Sequence, residues 1–211
     1  MQIPLIKGDA VGVETDYRDA LPVNMTAVSK HIRGAKGYML SHYGLTQHGT
    51  GSGIDRGGYW NAKQNSHFRV SGGDFISVAS DGNITVLGEI SGSRRASLIN
   101  SFNSQSIVAD GRWWLYIPDV FGFVERTSEI TGSFDPPIDH TWIDNFFFFT
   151  DGVNLFHTNA LNEGEINPAS FGVSQFSPDP TLAVDKTSDN QVIVFNRYTT
   201  EYFRNAGGDG F

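Results

Sequence analysis

Cysteine is absent from the 211 residues, which removes disulfides, thiolate nucleophiles and sulfur-based metal sites together. Charge is scarce as well. Charged residues make up 18% of the chain against a usual quarter or so, and only five of them are lysine. Fifteen basic residues face 23 acidic ones, for a net charge of -8. A DNA-gripping surface needs a basic patch, and Arg94–Arg95 is the one adjacent basic pair, so sequence-specific nucleic-acid binding is not expected. Long apolar runs are missing too. The greasiest stretch is Phe146–Phe149, against about 20 residues for a membrane span. The start, Met1-Gln-Ile-Pro-Leu-Ile-Lys7, has neither a basic n-region nor an apolar segment of signal-peptide length. No membrane partner is expected. Helical periodicity is absent: no window keeps apolar residues at i, i+3, i+4 and i+7 for three turns.

What is present points one way. Glycine, at 24 residues, is about 11% of the chain against a usual ~7%. Aromatics reach 13% and hydrophobic residues 39%, enough for a buried core and too apolar for a disordered chain. Glycine and aromatics together, with little charge, predict an all-β protein.

The strands recur on a pattern. Phe68-Arg-Val70, a turn at Ser71–Asp74, then Phe75–Val78 is an apolar run, a tight turn and a second run. The design returns as Ser106–Ala109, Asp110–Gly111, Arg112–Tyr116, and again as Phe146–Phe149, Thr150–Gly152, Val153–Phe156. A fourth copy is Val192–Phe195, Asn196–Arg197, Tyr198–Phe203. Asp-Gly between apolar runs is a strong hairpin signal, because a type I′ turn needs positive φ at both central residues. Starts at His67, Ser106, Phe146 and Val192 are spaced by 39, 40 and 46 residues. Hairpins at a 40–50-residue period describe propeller blades, and the competing account is a sandwich with hairpins at chance spacing. A third strand follows in the units at Ile84–Leu87, Phe121–Val124 and Ile166–Phe171. The fold expected is therefore an array of antiparallel hairpin blades resembling a β-propeller, incomplete in this chain, over residues 37–211. Residues 37–66, which hold Tyr38-Met-Leu40, Gly44-Leu45 and Tyr59-Trp60 among glycines, could form a first blade. Residues 1–36 have no period and are expected to be an extended N-terminal arm, in which Pro22 drives Leu21 toward extended geometry.

Turns are expected at Gly72–Gly73, Asp110–Gly111, Asp151–Gly152 and Asn196–Arg197. The expected core draws on Phe68, Val70, Ile76, Val78, Ile107, Leu115, Phe147, Phe149, Leu155, Ile193 and Phe195. Trp113 and Trp114 adjoin in one strand, so their rings point to opposite faces. One is assigned to the core and the other to a blade–blade or subunit contact. Candidate chemistry is thin. His42, His48 and Asp55 share a glycine-rich loop, but nothing there has zinc-ligand spacing. His140 lies between Asp139 and Asp144 with no nucleophile elbow, and Glu163 and Glu165 alternate along a loop as a solvated edge would. Calcium-loop spacing and phosphate-binding glycine motifs are missing, so no cofactor, metal or catalytic residue is assigned.

The ordered segments resemble a known family. They are Leu21-Pro-Val-Asn-Met25, Gly37-Tyr-Met-Leu40 with Gly44-Leu-Thr46, and Arg56-Gly-Gly-Tyr-Trp-Asn61. Phe68–Gly73, Gly88–Ser93, Asp151–Gly152 through Thr158, and Thr200-Glu-Tyr-Phe203 complete the series. In order and spacing they are similar to the tail-hub, or packaged-DNA stabilisation, proteins of short-tailed bacteriophages. The resemblance implies a structural component of the virion tail, assembled in the host bacterial cytoplasm, with a β-propeller region in its N-terminal half and no catalytic residues. It implies a homo-oligomeric ring, usually a hexamer, beneath the portal and its adaptor. That ring helps retain packaged DNA and meets the tail needle and the tailspikes. Family members are more than twice this length, so the resemblance implies a truncated chain. Leu21, Pro22, Asn24 and Met25 of the arm, with Trp113 and Trp114, are the candidate interaction residues; the arm is expected either to staple its own propeller or to reach a neighbouring subunit or the adaptor ring. The alternative is a carbohydrate- or receptor-binding propeller in which Trp60, Trp113 or Trp142 stacks on sugars.

Overall fold

The computed structural model describes residues 25–32, 35–41, 50–118, 120, 122–160, 162–174 and 179–205. Two compact units span Met1–Gln47 and His48–Phe211. The first holds a hairpin of β1 (Met25–Ile32) and β2 (Ala35–Ser41), with Met25 opposite Ser41. The boundary drawn from the sequence at residue 36 falls inside β2.

The second unit is a series of antiparallel sheets in strict chain order. Blade 1 is β3 (Asp55–Asn61), β4 (Ser66–Ser71), β5 (Asp74–Ala79) and β6 (Ile84–Glu89). Blade 2 is β7 (Ala96–Asn100), β8 (Gln105–Ala109), β9 (Arg112–Ile117) and β10 (Gly122–Glu125). Blade 3 is β11 (Asp139–Ile143), β12 (Phe146–Thr150), β13 (Asn154–Asn159) and β14 (Asn162–Val173). Blade 4 has three described strands, β15 (Thr181–Lys186), β16 (Val192–Asn196) and β17 (Thr200–Phe203). The described residues hold no α-helix, only a 3₁₀ turn at Thr127–Glu129. First strands lie beside first strands, β3 next to β7, β7 next to β11 and β11 next to β15, as the inner strands of propeller blades do. The array is all-β and propeller-like, and no sheet closes on itself.

Each blade begins one strand earlier than the hairpin pattern indicates. Tyr59–Trp60 does not found a blade of its own; it lies in β3, where Tyr59 pairs with Phe68 of blade 1. These first strands carry weak signals. β3 contains Gly57 and Gly58, and an added Cβ at Gly57 would collide with the Ala96 carbonyl of β7. Close approach of the inner strands demands small residues where β propensity would place large ones.

The turn chemistry explains most of the register. Asp110 and Gly111 have φ of 48° and 75°, both positive as a type I′ hairpin requires. The β4–β5 turn has positive φ at Gly72 and not at Gly73. Two expected turns differ in form. The Asp151–Gly152 loop runs on through Val153, because the Asp151 carboxylate accepts the amides of both Val153 and Asn154. The fourth turn is centred on residues 197–199, closed by the Asn196 amide on the Thr199 carbonyl. Asn196 is the last residue of β16, so the centre shifts forward of Asn196–Arg197. A hairpin that the sequence pattern overlooks is Asp144–Asn145, with φ of 49° and 69° and no glycine. Asp and Asn tolerate the left-handed region through their short polar side chains.

The core forms in layers between blades. Phe68, Val70, Phe75 and Ile90 of blade 1 and its exit meet Leu98, Ile107 and Trp114 of blade 2. Val108, Trp113 and Leu115 on the opposite face of blade 2 meet Phe147, Phe149 and Phe156 of blade 3. Ile143, Phe148 and Leu155 meet Val184, Val192 and Val194 of blade 4. The expected core is buried through Leu155 but fails in β16, where Ile193 is half-buried and Phe195 is 40% exposed. Both lie on the face of blade 4 turned away from blade 3, and Val192 and Val194 take the buried side. A period-2 strand has two apolar-compatible faces, and the neighbouring sheet decides which is covered.

Candidate functional site

The seams between blades concentrate the buried polar chemistry. At the blade 1–blade 2 seam, Arg56 of β3 is buried and spends its whole guanidinium on one joint. Its Nε donates to the Arg94 carbonyl at 2.8 Å, and Nη1 to the carbonyls of Ile90 at 2.9 Å and Gly72 at 3.2 Å. Nη2 donates to the Ser91 carbonyl and to Asp110 Oδ2, the latter at 2.7 Å. Thus one cation ties the turn of blade 1, the connection to blade 2 and the type I′ turn of blade 2. Gly92 beside it has φ of +102°, and a Cβ there would strike the Asp110 carboxylate.

At the blade 2–blade 3 seam, the hydroxyls of Ser101 and Ser104 both donate to Glu163 Oε2, at 2.8 and 2.7 Å. Glu163 is therefore a clasp on the β7–β8 turn, while Glu165 lies exposed on the same strand. At the blade 3–blade 4 seam, the Val184 amide donates to Asp139 Oδ2 at 3.2 Å, and the Thr181 amide to the Gly152 carbonyl at 2.9 Å. Asp144 accepts amide N–H bonds from the side chains of Asn190 and Asn205. Asp139 and Asp144 are thus engaged elsewhere, and neither carboxylate reaches the His140 ring to make a base with an orienting carboxylate.

The His140 ring stacks on Phe149 at 5.5 Å between centroids, and burial pushes its pKa down to about 3 against the lesser opposing pull of the Ser106 backbone. His157 is lowered in the same direction by burial, although its Nδ1 meets the Thr158 carbonyl at 2.8 Å. Both rings are neutral core members at pH 7. A cleft of about 420 Å³ opens beside Asp74, Glu89, Glu125, Arg112 and Trp114, with Arg112 3.8 Å from Glu125. It offers carboxylates but no histidine or lysine to work with them. Among the described residues no three His, Cys, Asp or Glu side chains gather as metal ligands.

The candidate interaction residues divide. Leu21, Pro22 and Asn24 lie outside the described residues, as do His42 and His48; Met25 opens β1. Trp113 and Trp114 are 0% and 3% exposed, and they fill the two opposite seams of blade 2. Trp113 also donates its indole N–H to Ser106 Oγ at 2.9 Å. Trp142 is covered edge-on by Phe102 and by Lys186 over its ring at 5.4 Å, leaving Trp60 as the half-exposed tryptophan. Asp55 pairs with Arg69. Sequence reasoning missed Arg56 and the two serines. Nothing local marks them as clasps, since the partners they reach across the seams are 16 to 62 residues away.

Comparison with known proteins agrees with this architecture. Residues 1–211 match the family described as "Bacteriophage P22 Gp10, beta-propeller". Over 112 residues the chain is 35% identical to the tail hub protein gp10 of Salmonella phage P22. That match takes in 53% of this chain and 23% of the relative, so the chain corresponds to a minor part of that protein's length. Among solved structures, a streptogramin B lyase superposes with a TM-score of 0.56 at 16% identity, over 74% of this chain and 54% of the lyase. The extracellular domain of the hybrid two-component system BT4673 from B. thetaiotaomicron gives 0.51 at 9% identity, over 74% of this chain and 21% of its own. At these identities both describe the fold alone. The chain belongs to the P22 Gp10 β-propeller family of phage tail-hub proteins.

Proposed function

We propose that this chain, as a structural component of the virion tail, helps retain packaged DNA and links the portal adaptor to the tail needle and tailspikes within a homo-oligomeric, hexameric ring. The observation that carries the reading is the family match across all 211 residues, together with its likeness to a tail hub protein. Physical features support it. A plug beneath a filled capsid must bear load, and stacked sheets with aromatic seams and charged clasps resist shear through many simultaneous contacts. A net charge of -8 disfavours gripping the phosphate backbone, so DNA can slide past when ejection begins. None of this asks for catalysis. Leu21, Pro22, Asn24 and Met25 are assigned to contacts with a neighbouring subunit or the adaptor.

The test is genetic and biochemical, in a phage whose own hub gene carries this sequence. A nonsense mutation should give filled heads that lose their genome to added nuclease and lack needle and tailspikes in negative-stain images. Supplying the intact gene from a plasmid should restore all three. Mutant particles that keep nuclease-resistant DNA and a complete tail overturn the proposal. Deleting residues 1–25 sharpens it: a folded protein that no longer joins the tail supports the contact role, and unimpaired assembly refutes it.

A further inference from the structure

The least satisfied polar group of the described residues lies in a seam. His140 projects from β11 toward blade 2, with Phe149 stacked on its ring at 12° and Phe147 tilted against it at 42°. Both phenylalanines belong to the layer that holds Val108, Trp113 and Leu115 of blade 2. The ring is buried, and neither Nδ1 nor Nε2 has a hydrogen-bond partner. Buried polar atoms are normally paired, and an orphaned one in a native fold calls for an explanation. A neutral imidazole stacked between phenyl rings is tolerable. An imidazolium has two N–H donors and a full charge, and this layer has nothing to receive either except the Ser106 main chain.

We propose that His140 makes the blade 2–blade 3 seam an acid-sensitive joint, in which protonation of the ring parts the two blades. Beyond the Ser106 main chain, the surroundings offer the cation no compensation. β8 and β12 carry no charged residue at all, and β7 none either. On its own strand, Asp139 accepts the Val184 amide on the blade 4 side. On β9 and β10, Arg112 faces Glu125, and on β14 the Glu163 carboxylate is held by Ser101 and Ser104. Lys186 of β15 sits over Trp142, two residues along the same strand from His140, and would repel a second positive charge. In β13, His157 is buried against Phe146 and Phe148. The 3₁₀ turn and its N-cap pair Arg126 with Glu129. Relief comes only if the ring reaches water, and that requires the seam to open.

The sign follows from linkage. Burial lowers the folded-state pKa from 6.5 to about 3, so the closed seam is fully favoured above pH 6.5 and loses ground as pH falls from there toward 3. Hydrogen exchange on the full chain tests it, with amides of Gln105–Ala109 and Phe146–Thr150 as reporters and Asp74–Ala79 of blade 1 as internal reference. Between pH 7 and pH 5, after correction for intrinsic exchange, protection of the two reporters should fall roughly 25-fold relative to the reference. In His140→Leu that differential loss should vanish, and in His140→Gln, which keeps a polar group but not the titration, it should vanish as well. An unchanged acid-induced loss in both variants overturns the proposal. So does a wild-type imidazole that titrates near 6.5 by NMR while both reporters stay protected. If the leucine variant does not fold, the glutamine variant and the NMR titration still decide.

Discussion

Blades 2 and 4 are built on the same hairpin pattern and meet different fates. Every residue of β8 in blade 2 is buried, and the adjacent Trp113 and Trp114 send their rings into separate layers. In blade 4, β16 alternates: Val192 and Val194 are buried against blade 3, while Phe195 and, on β17, Tyr202 at 61% stay exposed on the far side. Blade 2 has a sheet against each face, whereas blade 4 is packed against blade 3. The comparison teaches that apolar content in a propeller strand measures capacity for burial, and the neighbouring blade decides how much is used.

That contrast can be broken by mutation. Trp113→Ala should cost the most, about 3–5 kcal/mol in guanidinium unfolding, because it empties a fully buried layer and orphans the Ser106 hydroxyl. Arg56→Met comes next at about 3 kcal/mol, since four carbonyls lose a buried donor and Asp110 is left with the Arg94 amide and its more distant side chain. Combining it with Asp110→Asn should recover part of that loss, giving a positive coupling in a double-mutant cycle. Asn tolerates the φ of +48° at that turn, so the backbone is not the confounder. Glu163→Gln should lose about 1–2 kcal/mol by removing the charge from two hydroxyl bonds, with faster proteolysis of the β7–β8 turn as a local readout. Smallest is Tyr202→Ser, expected within about 0.5 kcal/mol of the parent. A loss above ~2 kcal/mol there would mean that the far face of blade 4 is covered in solution, and the contrast with blade 2 would fail.

Legibility followed the range of the interaction that fixes each feature. The second and third strands of each blade could be read because a two-residue turn and its flanking apolar runs fall within about a dozen residues, as at Asp110–Gly111. First strands could not. β3 with its paired glycines and β7 after Arg94–Arg95 are strands because an inner neighbour needs their backbone close by, and no local propensity records that. The opposed rings of Trp113 and Trp114 were legible as a strand geometry, but not which layer each would enter.

The sequence by itself determined the class and the period: no helical spacing, no cysteine chemistry, little charge, and hairpins repeating every 39 to 46 residues. Those depend on turn dihedrals and side-chain alternation, which act over a few bonds. Tertiary structure alone decided which face of β16 is wet, which glutamate serves as a clasp, and that Arg56 closes on Asp110 from 54 residues away. Burial and charge pairing are properties of what packs alongside, and a linear pattern contains no term for a neighbour that the fold has yet to bring near.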